Sequence, residues 1–116
     1  MKKNTPPIDW EAVLNINNHN IKLAEELIAL FLKELPQTQE LINTAADALD
    51  YNTLEKQAHK LQGACAYCGA HALKICASAL ELAASRKQRE RISRIMNDFN
   101  QQASEVLTQK AQYHAR

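Results

Sequence analysis

Apolar residues recur three and four positions apart in segment after segment of this chain, a spacing that points to amphipathic helices. The last segment is the most regular: Ile92, Ile95, Met96, Phe99, Ala103, Val106 and Leu107 form one stripe. Leu54, Ala58, Leu61, Cys65 and Cys68 form another, within about 80° of one another when each residue advances about 100°. No β-branched run alternates with polar residues, so no strand is expected. With two Gly, three Pro and 5% aromatics against 46% hydrophobic residues, the composition is that of an Ala/Leu-rich helical protein. A chain of 116 residues is one domain, long enough to bury a core.

Met1 to Pro7 is polar and ends in proline, and reads as a flexible lead or linker remnant, leaving residues 8–116 as the domain. Asp9 is a good N-cap for a short helix from Trp10 to about Ile16, with Trp10, Val13 and Leu14 on its apolar side. The Asn-rich run from Asn15 to Asn20 breaks it, and Asn20 can cap a second helix, Ile21 to Leu35, with Ala24, Leu27, Ile28, Phe31 and Leu35 on one face. Pro36 suits the first turn of a third helix ending near Leu49, with Thr38, Leu41, Ile42, Ala45 and Leu49 aligned. A fourth begins at Asn52, with Glu55 as a capping-box partner, and stops at Gly69. The fifth runs from His71 to about Ser85 with Leu73, Cys76, Leu80 and Ala83 inward, and Arg86-Lys87-Gln88 turns the chain into the last. The expected fold is all-α, an antiparallel up-down four-helix bundle with additional N-terminal helices: the short first helix and the second cap or flank it.

His59 falls roughly 140° from the start of the Leu54–Cys68 stripe, so it is expected to face solvent. Gly63 sits one turn further on and Ala66 follows on the same side. Glycine in mid-helix costs up to about 1 kcal/mol relative to alanine. A helix that bears this cost beside an exposed imidazole is arranged for something large to approach that imidazole. A neutral ring nitrogen is a nucleophile near pH 7. Lys56, three residues before His59, and Lys60, just after it, can place positive charge near the ring, and Gln62 can donate an amide hydrogen bond.

The run His59-Lys60-Leu61-Gln62-Gly63, with Gly69 six residues later, resembles the signature of histidine-containing phosphotransfer (HPt) domains, usually His-x-Leu-Lys-Gly, small residues and a second Gly. Ile8-Asp9-Trp10, the stretch Leu30 to Pro36, and Ala58 to Gly69 are similar to the C-terminal HPt module of hybrid sensor kinases of the BarA/GacS type. The resemblance implies a phosphorelay intermediate in two-component signal transduction. In it, His59 Nε2 would accept a phosphoryl group from a receiver-domain aspartate and pass it to a response-regulator receiver. Lys56, Lys60, Gln62, Gly63 and Ala66 would stabilise the phosphoryl group or dock the receiver. The partners implied are the receiver domains of a hybrid sensor kinase and of a response regulator, with the domain itself a monomer. Gln62 departs from the pattern, standing where the family often has lysine, so that position supplies no charge. No Gly-rich phosphate loop or carboxylate cluster accompanies the motif, so no ATP chemistry and no cofactor of its own are expected. The aspartate and its Mg²⁺ would belong to the receiver.

The charge balance, 14 basic against 13 acidic residues, gives no steering toward nucleic acid. No apolar run is long enough to span a membrane, and three cysteines speak against a secreted disulfide framework, so the cytoplasm is the expected setting. Two rival readings come from other classes. Cys65, Cys68, Cys76 and His71 could make a Cys₃His metal site, but the cysteines fall on inward stripes and the Cys-x-x-Cys precedes a helix end, where the dipole does not activate a thiol. A helical adaptor bundle would share the fold without phosphotransfer. Arg86, Lys87, Arg89, Arg91 and Arg94 form the one basic concentration, read as a solvated turn and helix face, with an acidic partner as the sharper alternative. His19, His71 and His114 read as surface residues.

Overall fold

The computed structural model describes residues 6–109, so Met1–Thr5 of the expected lead and His114 lie outside the described residues. Five helices follow one another: α1 (Trp10–Ile16), α2 (Ile21–Asp47), α3 (Tyr51–Tyr67), α4 (His71–Ser85) and α5 (Arg89–Thr108). The last four form the bundle. Each packs on its sequence neighbour, and α5 closes back on α2. The core residues come from the predicted stripes, including Ile28, Leu35, Leu54, Leu61, Leu73, Leu80, Ile92 and Phe99, and no buried side chain among the described residues is polar. The α2 to α5 seam is also tied by polar groups, with Asn100 Nδ2 donating to Asn43 Oδ1 at 2.9 Å and Gln39 Nε2 to Asn100 Oδ1 at 2.8 Å. No helix among the described residues is long and apolar enough to cross a membrane.

The expected break at Pro36 does not occur. α2 runs through it to Asp47, so the expected second and third helices are one and the added N-terminal element is α1 alone. Pro36 has no N–H to donate to Leu32, a loss of roughly 3 kcal/mol or more in a helix interior. Against it stand Phe31, Leu32 and Leu35 before the proline and Ile42 and Ala45 after it, all buried. Leu35 and Ile42 are two turns apart, so only a continuous helix buries both sets, and each large side chain contributes about 1.5–3 kcal/mol. Packing outweighs the proline, which is itself exposed. Leu41, expected inward, is exposed and Thr38 is half-buried.

The chain turns by one repeated device. At each bundle connection the residue after the C-cap takes a left-handed conformation, and the next N–H reaches back to a carbonyl five residues earlier, a Schellman turn. Leu49 (φ 55°), Gly69 (φ 66°) and Lys87 (φ 54°) occupy the left-handed position. Asp50 N donates to Ala45 O at 2.9 Å, Ala70 N to Cys65 O at 3.1 Å and Gln88 N to Ala83 O at 2.9 Å. Leu49 therefore lies in a turn, not in the helix assigned to it from sequence. The next helix starts at Tyr51, and its cap is Asp50, which accepts from Thr53 N at 3.2 Å; the expected Asn52/Glu55 box lies inside α3. The caps expected at Asp9 and Asn20 form as read, accepting from Ala12 N and Leu23 N. Ile8 is buried, and Asp9 N donates to Gly69 O at 2.8 Å, which ties α1 to the α3/α4 turn.

Candidate functional site

α3 carries the site. Leu54, Ala58, Leu61 and Cys65 are buried along one side, which fixes the opposite side outward. His59 is there, with 71% of its side chain exposed. Its Nδ1 lies 2.9 Å from Glu81 Oε2, on the neighbouring α4. A carboxylate can only accept, so Nδ1 carries a proton, and in the neutral ring Nε2 is then the nitrogen with the free lone pair. Nothing stands over Gly63: a Cβ built there meets no atom within 4 Å. The imidazole thus has one nitrogen held and a clear approach one turn along the helix.

Of the other expected site residues, Lys56 is exposed one turn before His59. Lys60 is exposed but turned toward α2, where it lines a groove with Glu34, Thr38 and Gln57. Gln62 and Ala66 are half-buried. Glu81 was not found from sequence. It lies 22 residues from His59, and the signal for it is hairpin symmetry: the two residues stand eleven positions either side of Ala70, at the turn joining the antiparallel helices.

The rival metal set is not brought together. His71 Nε2 lies 3.4 Å from Asp9 Oδ2, and no three His, Cys, Asp or Glu side chains among the described residues are grouped as metal ligands would be. Cys65 and Cys68 are buried, and Cys68 Sγ contacts Leu27 O at 3.7 Å. Burial pushes the Cys65 thiol up to about 12 and Cys68 to about 11, which makes them inert rather than reactive.

Comparison with known proteins places this four-helix bundle, with its open histidine on the outer face, in one family. The sequence profile of the Hpt domain matches residues 26–111, and the chain belongs to that family of histidine phosphotransfer domains. It is accordingly a phosphorelay component of two-component signalling, in a family whose members carry phosphoryl groups between receiver domains and response regulators and are not kinases. Among solved structures it is similar to the HPT domain of a sensor hybrid histidine kinase from Shewanella, at 29% identity and a TM-score of 0.74 over 91% of this chain and 95% of that one. It is also similar to histidine-containing phosphotransfer protein B from Pseudomonas aeruginosa, with a TM-score of 0.84 over 97% and 99% of the two chains. At 18% identity that second likeness speaks to the fold alone. Comparison with the curated proteins finds no match.

Proposed function

We propose that His59 is the phosphoryl-accepting residue of this domain and that Nε2 is the accepting atom. The observation that carries the proposal is the hydrogen bond from Nδ1 to Glu81, which makes Nε2 the nucleophilic nitrogen of the neutral ring, on an exposed side chain one turn from the open space over Gly63. Nε2 attacks the phosphorus of an aspartyl phosphate on a receiver. The N–P bond forms as the P–O bond breaks, and the aspartate leaves as a carboxylate. The ring gains positive character, which Glu81 offsets through the Nδ1 proton it already holds. In the onward step a second receiver's aspartate attacks the same phosphorus, and the electron pair returns to Nε2.

Lys56 and Lys60 reduce the negative charge of the bound phosphoryl group as flexible point charges, and Gln62 contributes a neutral donor. In this reading the Mg²⁺ belongs to the receiver, and the domain relays the phosphoryl group without ATP chemistry of its own. It acts as a monomer in the cytoplasm, between the receiver of a hybrid sensor kinase and that of a response regulator. The experiment is transfer from a phosphorylated receiver, competent on a known partner, to wild type and to His59→Gln. Acid-labile, alkali-stable label on wild type and none on the variant is expected; label persisting on the variant would overturn the assignment.

A further inference from the structure

α1 is seven residues long, too short to hold a helix alone in water, so it is helical because it is docked. Its hold is narrow: it touches α2 lightly and otherwise closes on the turn between α3 and α4. Ile8, just before it, and Val13 are buried, and Trp10 and Leu14 pack half-buried against the core. Asp9 makes the polar contacts. Its N–H donates to Gly69 O at 2.8 Å, and its Oδ1 accepts from Ala12 N at 3.2 Å. Its Oδ2 lies 3.4 Å from Nε2 of His71, the first residue of α4. A Cβ on residue 69 would stand 2.6 Å from Asp9 O and 3.1 Å from Val13 Cγ2, so α1 rests directly on the glycine. Asn18 (φ 55°) and His19 (φ 60°), which join α1 to α2, are consecutive left-handed residues, a conformation that stores strain in any residue with a Cβ. α1 is thus a strap with a narrow seat and a strained hinge.

We infer that α1 opens and closes as a unit separate from the bundle, and that its closure steadies the α3/α4 turn in the register that sets Glu81 against His59. Gly69 and His71 flank Ala70, and His59 and Glu81 stand eleven positions either side of that same residue. Asp9 therefore grips the hairpin at its pivot, and the His59–Glu81 contact registers any slack there. With α1 closed, a hydrogen bond, the Asp9–His71 contact and the packing over Gly69 all fix the turn. With α1 open, the turn keeps only its own back-bonding and the core. The His59 side chain is 71% exposed, so little packing enforces its contact with Glu81. The open state is the slower one for transfer, so a pull on the chain ahead of Ile8 adjusts the relay without touching His59. That consequence rests on the reading of His59 as acceptor. The coupling is reciprocal: breaking the His59–Glu81 contact must loosen α1 by the factor that opening α1 loosens the contact.

Native-state hydrogen exchange on the full chain is the test. The amides of residues 13–17, with that of Asp9, are expected to exchange as one set, at least about 100-fold faster than the core amides of α3, α4 and α5. Asp9→Ala is expected to speed that set about tenfold further, to move the ¹⁵N shifts of His59 toward a mixture of tautomers, and to slow transfer from a competent receiver about threefold. Should Asp9→Ala not fold, His71→Ala, which keeps the cap and the bond to Gly69, gives the same readings. Glu81→Ala, eleven residues along α4 from the pivot, is expected to speed exchange of the α1 set about threefold. An α1 set that exchanges only with global unfolding would overturn the separate unit. α1 exchange unmoved by Glu81→Ala, or His59 shifts unmoved by the Asp9 or His71 variant, would overturn the coupling. Label that survives His59→Gln would instead remove the reading of the site and leave the exchange results standing.

Discussion

Glu81 holds the site together at the scale of single residues. An imidazole that is 71% exposed would sample several rotamers and both tautomers, and one carboxylate contact at 2.9 Å removes that freedom. Glu81→Ala is expected to leave the fold intact and slow phosphotransfer about tenfold, the loss of one hydrogen bond to a charged group. Glu81→Gln, which keeps an accepting oxygen, should fall between alanine and wild type; rates in any other order would contradict the role. Gly63 gives a sharper separation of stability from function. Because a Cβ there meets nothing, Gly63→Leu should raise thermal stability through helix propensity, by up to about 1 kcal/mol, while blocking the receiver sterically. Unimpaired transfer in that variant would refute the open-approach argument. His59 and Gly63 were legible in the sequence because their relation is local, a matter of four residues on one helix. Glu81 was not, because its relation to His59 exists only once the hairpin about Ala70 sets the register of α4 on α3.

At the scale of elements, the turns explain both what was legible and what was not. Gly69 announces its left-handed turn by its residue type, whereas Leu49 and Lys87 do the same work with side chains that give no signal. A left-handed non-glycine residue costs roughly 1–2 kcal/mol, and the back-bonding of the turn with the packing of two helices covers it. Lys87→Gly is therefore expected to stabilise the protein by up to about 1 kcal/mol, read as a rise in the urea midpoint. Gly69→Ala should do the reverse and cost more than about 2 kcal/mol, since its Cβ would stand 2.6 Å from Asp9 O in addition to the backbone strain. A midpoint unchanged by Gly69→Ala would mean that α1 does not dock on this turn. Pro36 misled for a related reason. Its residue type signals a helix start, and only the unbroken phase of the buried residues on its two sides shows that the helix continues.

Over the whole molecule, apolar burial sets the pH range of stability. The Cys65 and Cys68 thiols, raised by burial to about 12 and about 11 from an ordinary 9.0, stay neutral in the folded state where an unfolded chain would ionise. Their contribution is complete below pH 9 and is lost as pH rises through 11 and 12. Urea unfolding should show stability declining above about pH 9 from this source, and a stability that climbed through that range would contradict the burial of these thiols. On the acid side, hydrogen bonds from Thr53 hold the Asp50 carboxyl below its ordinary 3.8, so that cap's contribution disappears as the pH falls through the lowered value. Periodicity made α3, α4, α5 and the inward residues on both halves of α2 legible, but not the length of α2, which the sequence reading divided at Pro36. The central claim is narrower, that one nitrogen of one histidine is made ready by the fold. The most direct measurement is ³¹P–¹⁵N NMR on histidine-labelled protein phosphorylated by a competent receiver. The account predicts a one-bond coupling to Nε2 of His59, with Nδ1 still protonated. Coupling to Nδ1, or to any other histidine, would contradict it.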